Sequence, residues 1–238
     1  MRSTILLTIL ALTLSISATP YAQRPARSPI RRPWPFPPRQ TNVSTGGSCD
    51  LSTTAQPANT LPAVSSGLQL ALIAAGTGTQ NYTCANSSSA TVPVAIGAVA
   101  SLTNASCAVA SGNLGSINED AAAIGMHFFV DSTTPDFDVI GLGNTELKKN
   151  AAMTAPAEAD GTVDVPWLKL VAQTAGTTGA VKEVYRLVTK GGTAPATCEG
   201  QDPAAVVQVA YQAQYWFYVS TEEVAARHKR AAIKARGN

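Results

Sequence analysis

The clearest pattern along the chain is an alternation of hydrophobic and polar residues over positions 206–218. Hydrophobic side chains occupy every second position from Val207 to Phe217, and glutamines fill several of the positions between them. A period of two predicts a β-strand with one buried face. A single strand of this length would exceed about 40 Å, so we expect a bulge, a bend or a split within it.

Shorter segments with the same period occur earlier in the chain, each bounded by Gly, Pro, Asn or Asp. They predict strands at 68–72, 80–84, 92–100, 128–130, 137–140, 167–172 and 181–189, with a turn at 76–78. Short strands without repeated β–α alternation predict an all-β fold, either an antiparallel β-sandwich or an open barrel. We also expect a short helix near residues 116–126. A capping box, Ser220-Thr221-Glu222-Glu223, predicts a basic C-terminal helix.

The N-terminal region differs in composition from the rest of the chain. Residues 1–18 combine Arg2, a twelve-residue apolar run and small residues ending near Ala18, which is typical of a cleaved secretory signal. Pro and Arg then alternate, which predicts an extended arm, and Arg31-Arg32 within it resembles a dibasic processing site. The predicted organisation is a signal peptide at 1–18, an arm and linker at 19–48, a β domain at 49–219 and a basic helix or tail at 220–238.

Charge is sparse and unevenly distributed. Charged residues make up 13% of the chain and the formal net charge is +2, yet residues 41–220 hold thirteen acidic and six basic side chains. An acidic body between basic ends argues against a nucleic-acid-binding core. No apolar run of about 18 residues follows the N-terminus, so we expect no transmembrane segment in the mature protein.

Four cysteines and four glycosylation sequons fit an extracellular chain. The even cysteine count predicts two disulfides with three possible pairings, of which we favour Cys84–Cys107 and Cys49–Cys198. No cysteine or histidine has the spacing of a zinc site, so we expect no metal. The sequons predict N-glycosylation at Asn42, Asn81, Asn86 and Asn104.

No complete catalytic or cofactor motif is present. Gly141-Leu142-Gly143 lacks the third glycine of a dinucleotide loop, and Gly-x-Ser-x-Gly and His-Glu-x-x-His are both missing. We therefore expect no cofactor. For His127 we expect a structural, hydrogen-bonded imidazole, and the alternative is a ligand or a general base. Glycoside hydrolysis by paired carboxylates stays open, and the nearest pairs are Asp136/Asp138 and Glu119/Asp120.

Aromatic residues concentrate in the last third of the chain. Trp216 and Tyr218 fall on the face opposite Tyr215 and Phe217. Outward rings would form a platform for sugar rings or for a partner protein, whereas inward rings would build the core. The candidate ligand-binding residues are Trp216, Tyr218, Gln80 and Trp167. The partner that they suggest is a polysaccharide, or a host or cell-surface protein.

Several motifs in order along the chain resemble a known family. They include Gly78-Thr79-Gln80-Asn81-Tyr82-Thr83-Cys84, Gly125-Met126-His127-Phe128-Phe129, Val165-Pro166-Trp167-Leu168 and Tyr211-Gln212-Ala213-Gln214-Tyr215-Trp216-Phe217-Tyr218. Together they are similar to a secreted domain-of-unknown-function family of filamentous fungi, with bacterial relatives, over about residues 61–219. Members of that family often carry the label malate dehydrogenase, which the residues do not support. The resemblance implies no established catalytic residues.

These observations predict a secreted extracellular protein whose β domain is non-enzymatic and contacts a cell surface, a host or a polymer. The alternative is a carbohydrate-active or other hydrolase that uses His127 or a carboxylate pair. A third hypothesis is an effector whose basic ends bind acidic surfaces. The position of His127 separates the first two, because a catalytic imidazole needs an open pocket and a carboxylate or hydroxyl within reach.

Overall fold

Eight antiparallel strands close into a barrel in chain order, with the last strand paired to the first. The structure is a computed structural model and describes residues 49–112, 121–159 and 161–236. The strands are β1 (Leu68–Thr83), β2 (Val94–Asn104), β3 (Gly125–Asp131), β4 (Thr134–Val139), β5 (Gly143–Met153), β6 (Trp167–Ala172), β7 (Val181–Gly191) and β8 (Val207–Ser220). Two helices accompany them in the described part of the chain, α1 (Ser106–Ala110) and α2 (Thr221–Arg236). The all-β antiparallel prediction is confirmed, and the barrel is closed rather than open.

The longest strand, β1, corrects the predicted turn at residues 76–78. These residues lie inside the 16-residue strand, whose two edges pair with β2 and β8. A Cβ on Gly76 would lie 2.5 Å from the ring of Tyr215, and one on Gly78 would lie 1.9 Å from the carbonyl oxygen of Val99. Gly76 is therefore needed for close approach of the Tyr215 ring and Gly78 for close approach of the β2 backbone, and neither glycine ends the strand.

The other long strand, β8, stays in one piece over its 14 residues. Bulges in its two partners accommodate the expected distortion. The register with β1 shifts between Leu70 and Leu72, and the register with β7 shifts between Leu187 and Lys190. Val188, inside the second shift, has φ of 48°.

Alternation along the strands divides the hydrophobic residues into an inner and an outer cluster. The inner cluster fills the barrel and includes Tyr211, Tyr215 and Phe217 of β8, on the face predicted from the period of two. Small residues on β1 and β2, such as Ala74 and Ala100, belong to the same cluster and leave room for these rings. Side chains can fill the interior of an eight-stranded barrel in this way.

The outer cluster lies beneath residues 49–66, which we call the strap. The strap contributes Leu61 to the cluster, together with the strand residues Trp167, Tyr185 and Trp216. Several hydrogen bonds hold it on the strands, three of which join it to Tyr218, Tyr185 and Lys169. Gln56 Nε2 donates to the Tyr218 hydroxyl at 2.9 Å, the Tyr185 hydroxyl donates to Pro62 O at 2.7 Å, and Lys169 Nζ donates to Ala63 O at 2.7 Å.

The helices confirm one prediction and correct another. The C-terminal helix α2 is present, and Glu223 N donates to Ser220 Oγ at 3.3 Å, as the capping box predicts. Val224 packs against the inner cluster and so covers one end of the barrel. The structure adds a short helix, α1, that was not predicted, and within the predicted segment the described residues 121–126 are not helical, because 121–124 carry no helix and β3 starts at Gly125. Residues 113–120 are outside the described residues.

Two disulfides are present, as predicted, but the favoured pairing is wrong. The bonds are Cys49–Cys107 and Cys84–Cys198, with Cα–Cα distances of 5.4 and 5.8 Å. Cys84 follows β1 and Cys107 follows β2, so the 11-residue β2 separates them. A strand of that length spans about 33 Å, far more than a disulfide bridges.

Several predictions concern residues that the structure does not describe. The signal peptide, the Pro- and Arg-rich arm, Arg31-Arg32 and Asn42 all lie within residues 1–48, outside the described residues. The carboxylate pair Glu119/Asp120 is outside them as well. In the parts of the chain that are described, no helix has the length and apolar character needed to cross a membrane.

Candidate functional site

His127, the candidate general base, is buried inside the barrel on β3. Its ring stacks on Phe137 with centroids 4.1 Å apart and planes 10° from parallel, and Phe129 and Tyr215 flank it at 5.4 Å. Its Nδ1 lies 2.8 Å from Asp136 O, a main-chain partner. The imidazole is therefore held by packing and by the backbone.

Burial also sets the charge of His127. Desolvation lowers its pKa from 6.5 to about 4, the hydrogen bond to Asp136 O opposes this, and the positive charge of Arg186 lowers it further. The ring is therefore neutral at neutral pH, and it is not available as a charged imidazolium acid.

The carboxylates of β4 are in unequal surroundings. Asp136 is buried and accepts a hydrogen bond from Asn144 Nδ2 at 2.6 Å, whereas Asp138 is exposed. Burial raises the pKa of Asp136, the Asn144 hydrogen bond lowers it, and the charges of Glu146 and Asp138 raise it again. Within the described residues, no three His, Cys, Asp or Glu side chains lie close enough together to hold a metal ion.

The aromatic residues considered as a possible platform are not on the surface. Trp216 and Tyr218 do point out of the barrel, but they belong to the outer cluster under the strap, with 0% and 6% of their surface exposed. Trp216 Nε1 donates to Gln214 Oε1 at 3.2 Å. Trp167 is buried in the same cluster. The alternative of an exposed platform therefore finds no support in this geometry, because the strap covers these rings.

The sequons within the described residues differ in accessibility. Asn86 and Asn104 are exposed, and Asn81 is half-buried on β1, opposite Gly97 and Gln208. The Asn86 and Asn104 side chains accept hydrogen bonds from their own loops, at Thr91 Oγ1 and Ser106 N. Their glycosylation stays a prediction.

The inside of the barrel holds a polar group that the sequence did not reveal. Arg186 lies on β7 between Leu168 of β6 and Tyr215 of β8, and its alternation with Val184 places it on the inner face. Its Nε and Nη2 donate to Pro166 O at 3.2 and 2.8 Å. The only sequence signal for its position is that Arg186 lies two residues from the inward-facing Val184, and alternation alone is weak evidence for burying an isolated arginine.

Three tyrosines lie near enough to this guanidinium to feel its charge, and Gln80 lies beside one of them, Tyr211. The Tyr211 and Tyr215 hydroxyls are 2.6 Å apart, and the Tyr82 hydroxyl donates to Gly192 O at 2.5 Å. Burial raises the pKa of all three tyrosines, and the positive charge of Arg186 opposes the shift in each. We call Arg186, Gln80, Tyr82, Tyr211 and Tyr215 the Arg186 cluster.

A surface groove of about 810 Å³ lies elsewhere, between the strap, the start of β1 and α2. Leu68, Leu70 and Leu72 line it on β1, and Val224 and Arg227 line it on α2. Arg227 is bonded to Glu223 and to Gly141 O. Its charge is thus already engaged within the protein.

Comparison with known proteins gives one match. A profile of the family described as a protein of unknown function, DUF3455, matches residues 64–219. The chain belongs to this family. The match confirms the resemblance to a domain-of-unknown-function family and gives the malate dehydrogenase label no support. The DUF3455 region begins at the end of the strap and includes all eight strands up to Val219.

Two further searches found no relatives for the DUF3455 chain. No curated protein matches it. No solved structure matches it either.

Proposed function

We propose that this DUF3455 protein is a secreted extracellular protein whose barrel is a non-enzymatic binding domain. The observation that carries the proposal is the position of His127, whose imidazole is buried and neutral and is bonded to a main-chain oxygen. A general base needs access to substrate and a reacting hydroxyl or water. The two disulfides suit an oxidising compartment, and the sequence resemblance to a family secreted by filamentous fungi supports the same location.

The exposed surface favours a protein as the partner over a polysaccharide. The rings that would stack on sugars are buried. In contrast, Val92, Val94 and Val206 are 66%, 62% and 50% exposed. Val94 pairs with Thr83, and Val207, next to Val206, pairs with Tyr82, so the three valines flank the same end of β1. We call them the valine patch. Exposed apolar patches often mark contacts with other proteins.

The valine patch can be tested with cell-binding measurements. The variants Val94→Lys and Val206→Lys should lose binding to intact cells of the producing organism or its host, at least about tenfold, because a lysine desolvates poorly in an apolar contact. Ile140→Lys is the matched control, since Ile140 is 66% exposed in the β4–β5 turn at the other end of the barrel. Equal binding by all variants would contradict a protein contact here.

The same preparations test the enzyme alternative. Secreted wild-type protein should hydrolyse no member of a glycan and ester panel, and His127→Asn should give the same result as wild type. Hydrolysis that disappears in His127→Asn while the variant still folds would favour a hydrolase. Intact mass before and after reduction and deglycosylation would test export, disulfide formation and glycan attachment together.

A further inference from the structure

Arg186 is a buried cation whose nearest described partner is neutral. It has 8% of its surface exposed and donates two hydrogen bonds to Pro166 O. The described residues form three ion pairs, and none of them includes Arg186. A guanidinium has five N–H donors, and a buried charge is costly unless an opposite charge compensates for it. The arginine is therefore suited to an anion.

Gln80 supplies a second donor that lacks an acceptor. Its side chain is 8% exposed, and its Nε2 makes no hydrogen bond of acceptable geometry. The amide is nevertheless close enough to the Tyr211 hydroxyl to lower the pKa of that group. A buried donor without a partner normally costs stability, so its presence at this position points to a ligand.

The Arg186 cluster lies near the end of the barrel where β1 and β7 finish and β8 begins. Gly191 and Gly192 turn the chain over this end with φ of 68° and 79°, and a Cβ on Gly192 would lie 3.0 Å from Gln80 Cγ. The hydrogen bond from Tyr82 to Gly192 O holds this turn against the cluster. The donors therefore lie beneath the start of the β7–β8 connection.

We propose that Arg186, Gln80 and Tyr211 form a binding site for the oxyanion group of a small molecule at this end of the barrel. Carboxylate, phosphate and sulfate groups share the chemistry that the site recognises. They accept charge-assisted hydrogen bonds from a guanidinium fork and can take further bonds from an amide and a hydroxyl. The proposal goes beyond the valine patch and adds a small-molecule ligand to the proposed binding function.

Titration followed by side-chain NMR tests the site directly. Acetate, benzoate and inorganic phosphate serve as separate probes, with chloride as the control anion at equal ionic strength. At least one oxyanion should shift the Gln80 Nε2 and Arg186 Nε resonances saturably, and the preferred probe distinguishes carboxylate from phosphate ligands. Shifts no larger than those in chloride would overturn the proposal.

Two variants and a control give the matching loss of function. Gln80→Leu removes an unpartnered donor, so it should fold and weaken the preferred probe about tenfold. Arg186→Gln should abolish saturable binding. Lys182→Gln, on an exposed residue of the same strand, should bind as wild type does. If Gln80→Leu is folded and binds the probe as tightly as wild type, the assignment of the site is wrong.

This inference and the proposed function fail independently. Val94→Lys should leave probe binding unchanged, because the valine patch is not part of the Arg186 cluster. Loss of cell binding in Val94→Lys together with no oxyanion shift in wild type would retain the binding domain and reject the anion site. Glycan hydrolysis by wild type together with a saturable oxyanion shift would reject the non-enzymatic binding domain and retain the anion site.

Discussion

Lys169 Nζ lies 3.0 Å from Glu183 Oε1 beneath the strap, and both side chains are only 5% exposed. Ser65 of the strap donates its hydroxyl to Glu183 Oε1 at 2.6 Å, and Lys169 donates to Ala63 O at 2.7 Å. The ammonium also lies 5.4 Å from the centroid of the Tyr185 ring. The pair therefore joins the strap to β6 and β7 next to the outer cluster, which the strap covers.

Breaking this pair on one side should destabilise the protein strongly. Glu183→Gln or Lys169→Met leaves one buried charge without its partner, which should lower the free energy of unfolding by about 3–5 kcal/mol in urea titrations. The double variant Lys169→Met/Glu183→Leu should lose less than either single variant, because no buried charge remains. The control Arg230→Ala removes an exposed pair with Glu223 and should change stability much less. Additive losses in the double variant would contradict this account.

The stability of the protein should fall with acidification because of His127. The folded-state pKa is about 4 and the unfolded value is 6.5, so between these values the unfolded chain binds a proton that the folded protein does not. The free energy of unfolding should drop through this window by about 3 kcal/mol in total. His127→Phe, measured by urea unfolding at each pH, should lack this part of the slope. His228→Gln is the control and should keep it.

Peptide mapping without reduction should recover Cys49 linked to Cys107 and Cys84 linked to Cys198. Replacing both cysteines of a pair with serine should cost about 2–5 kcal/mol, and more for Cys84–Cys198 on chain entropy, since its residues are 114 apart and those of Cys49–Cys107 are 58 apart. Recovery of a Cys84–Cys107 peptide from the folded protein would contradict the barrel topology, because β2 keeps these residues apart.

Trp216→Ala should act on stability rather than on surface contacts. The ring is fully buried in the outer cluster, so its removal should cost about 3–5 kcal/mol in denaturant unfolding. Met126→Ala, at a half-exposed position on β3, is the control and should change stability little. A stable Trp216→Ala variant with a selective loss of sugar binding would instead restore the aromatic platform.

Local patterns along the chain predicted the strands well and their closure poorly. The period of two on β8 correctly placed Tyr215 and Phe217 inside. Closure depends on pairing between β1 and β8, for example Leu68 with Ser220, and no local pattern encodes contacts at that separation. The prediction divided β1 at its glycines, because glycine in a sequence also indicates a turn. In the structure Gly76 instead allows the Tyr215 ring to pack closely, which is a tertiary contact that the local sequence does not reveal.

The candidate site was predicted less well because burial depends on what lies above a strand. Trp216 and Tyr218 were placed correctly on the outer face, but the strap that covers them has little periodicity and gave no signal of packing. The cysteine pairing failed for a related reason, since the ends of β2 could not be located before the barrel was known. Arg186 was missed because a single arginine in an apolar strand carries no motif.

Pairing of β8 with β1 also affects how copies of the protein meet one another. An open sheet offers unpaired N–H and C=O groups along its outermost strands, on which a second chain can add a strand and begin an aggregate. In this barrel each edge of β1 and of β8 faces a neighbouring strand, although β2 pairs with β1 only from Ala74 onwards and β7 pairs with β8 only from Tyr211 to Val219. At high concentration, copies of the protein would therefore resist edge-to-edge polymerisation along these paired stretches without charged or proline gatekeepers there.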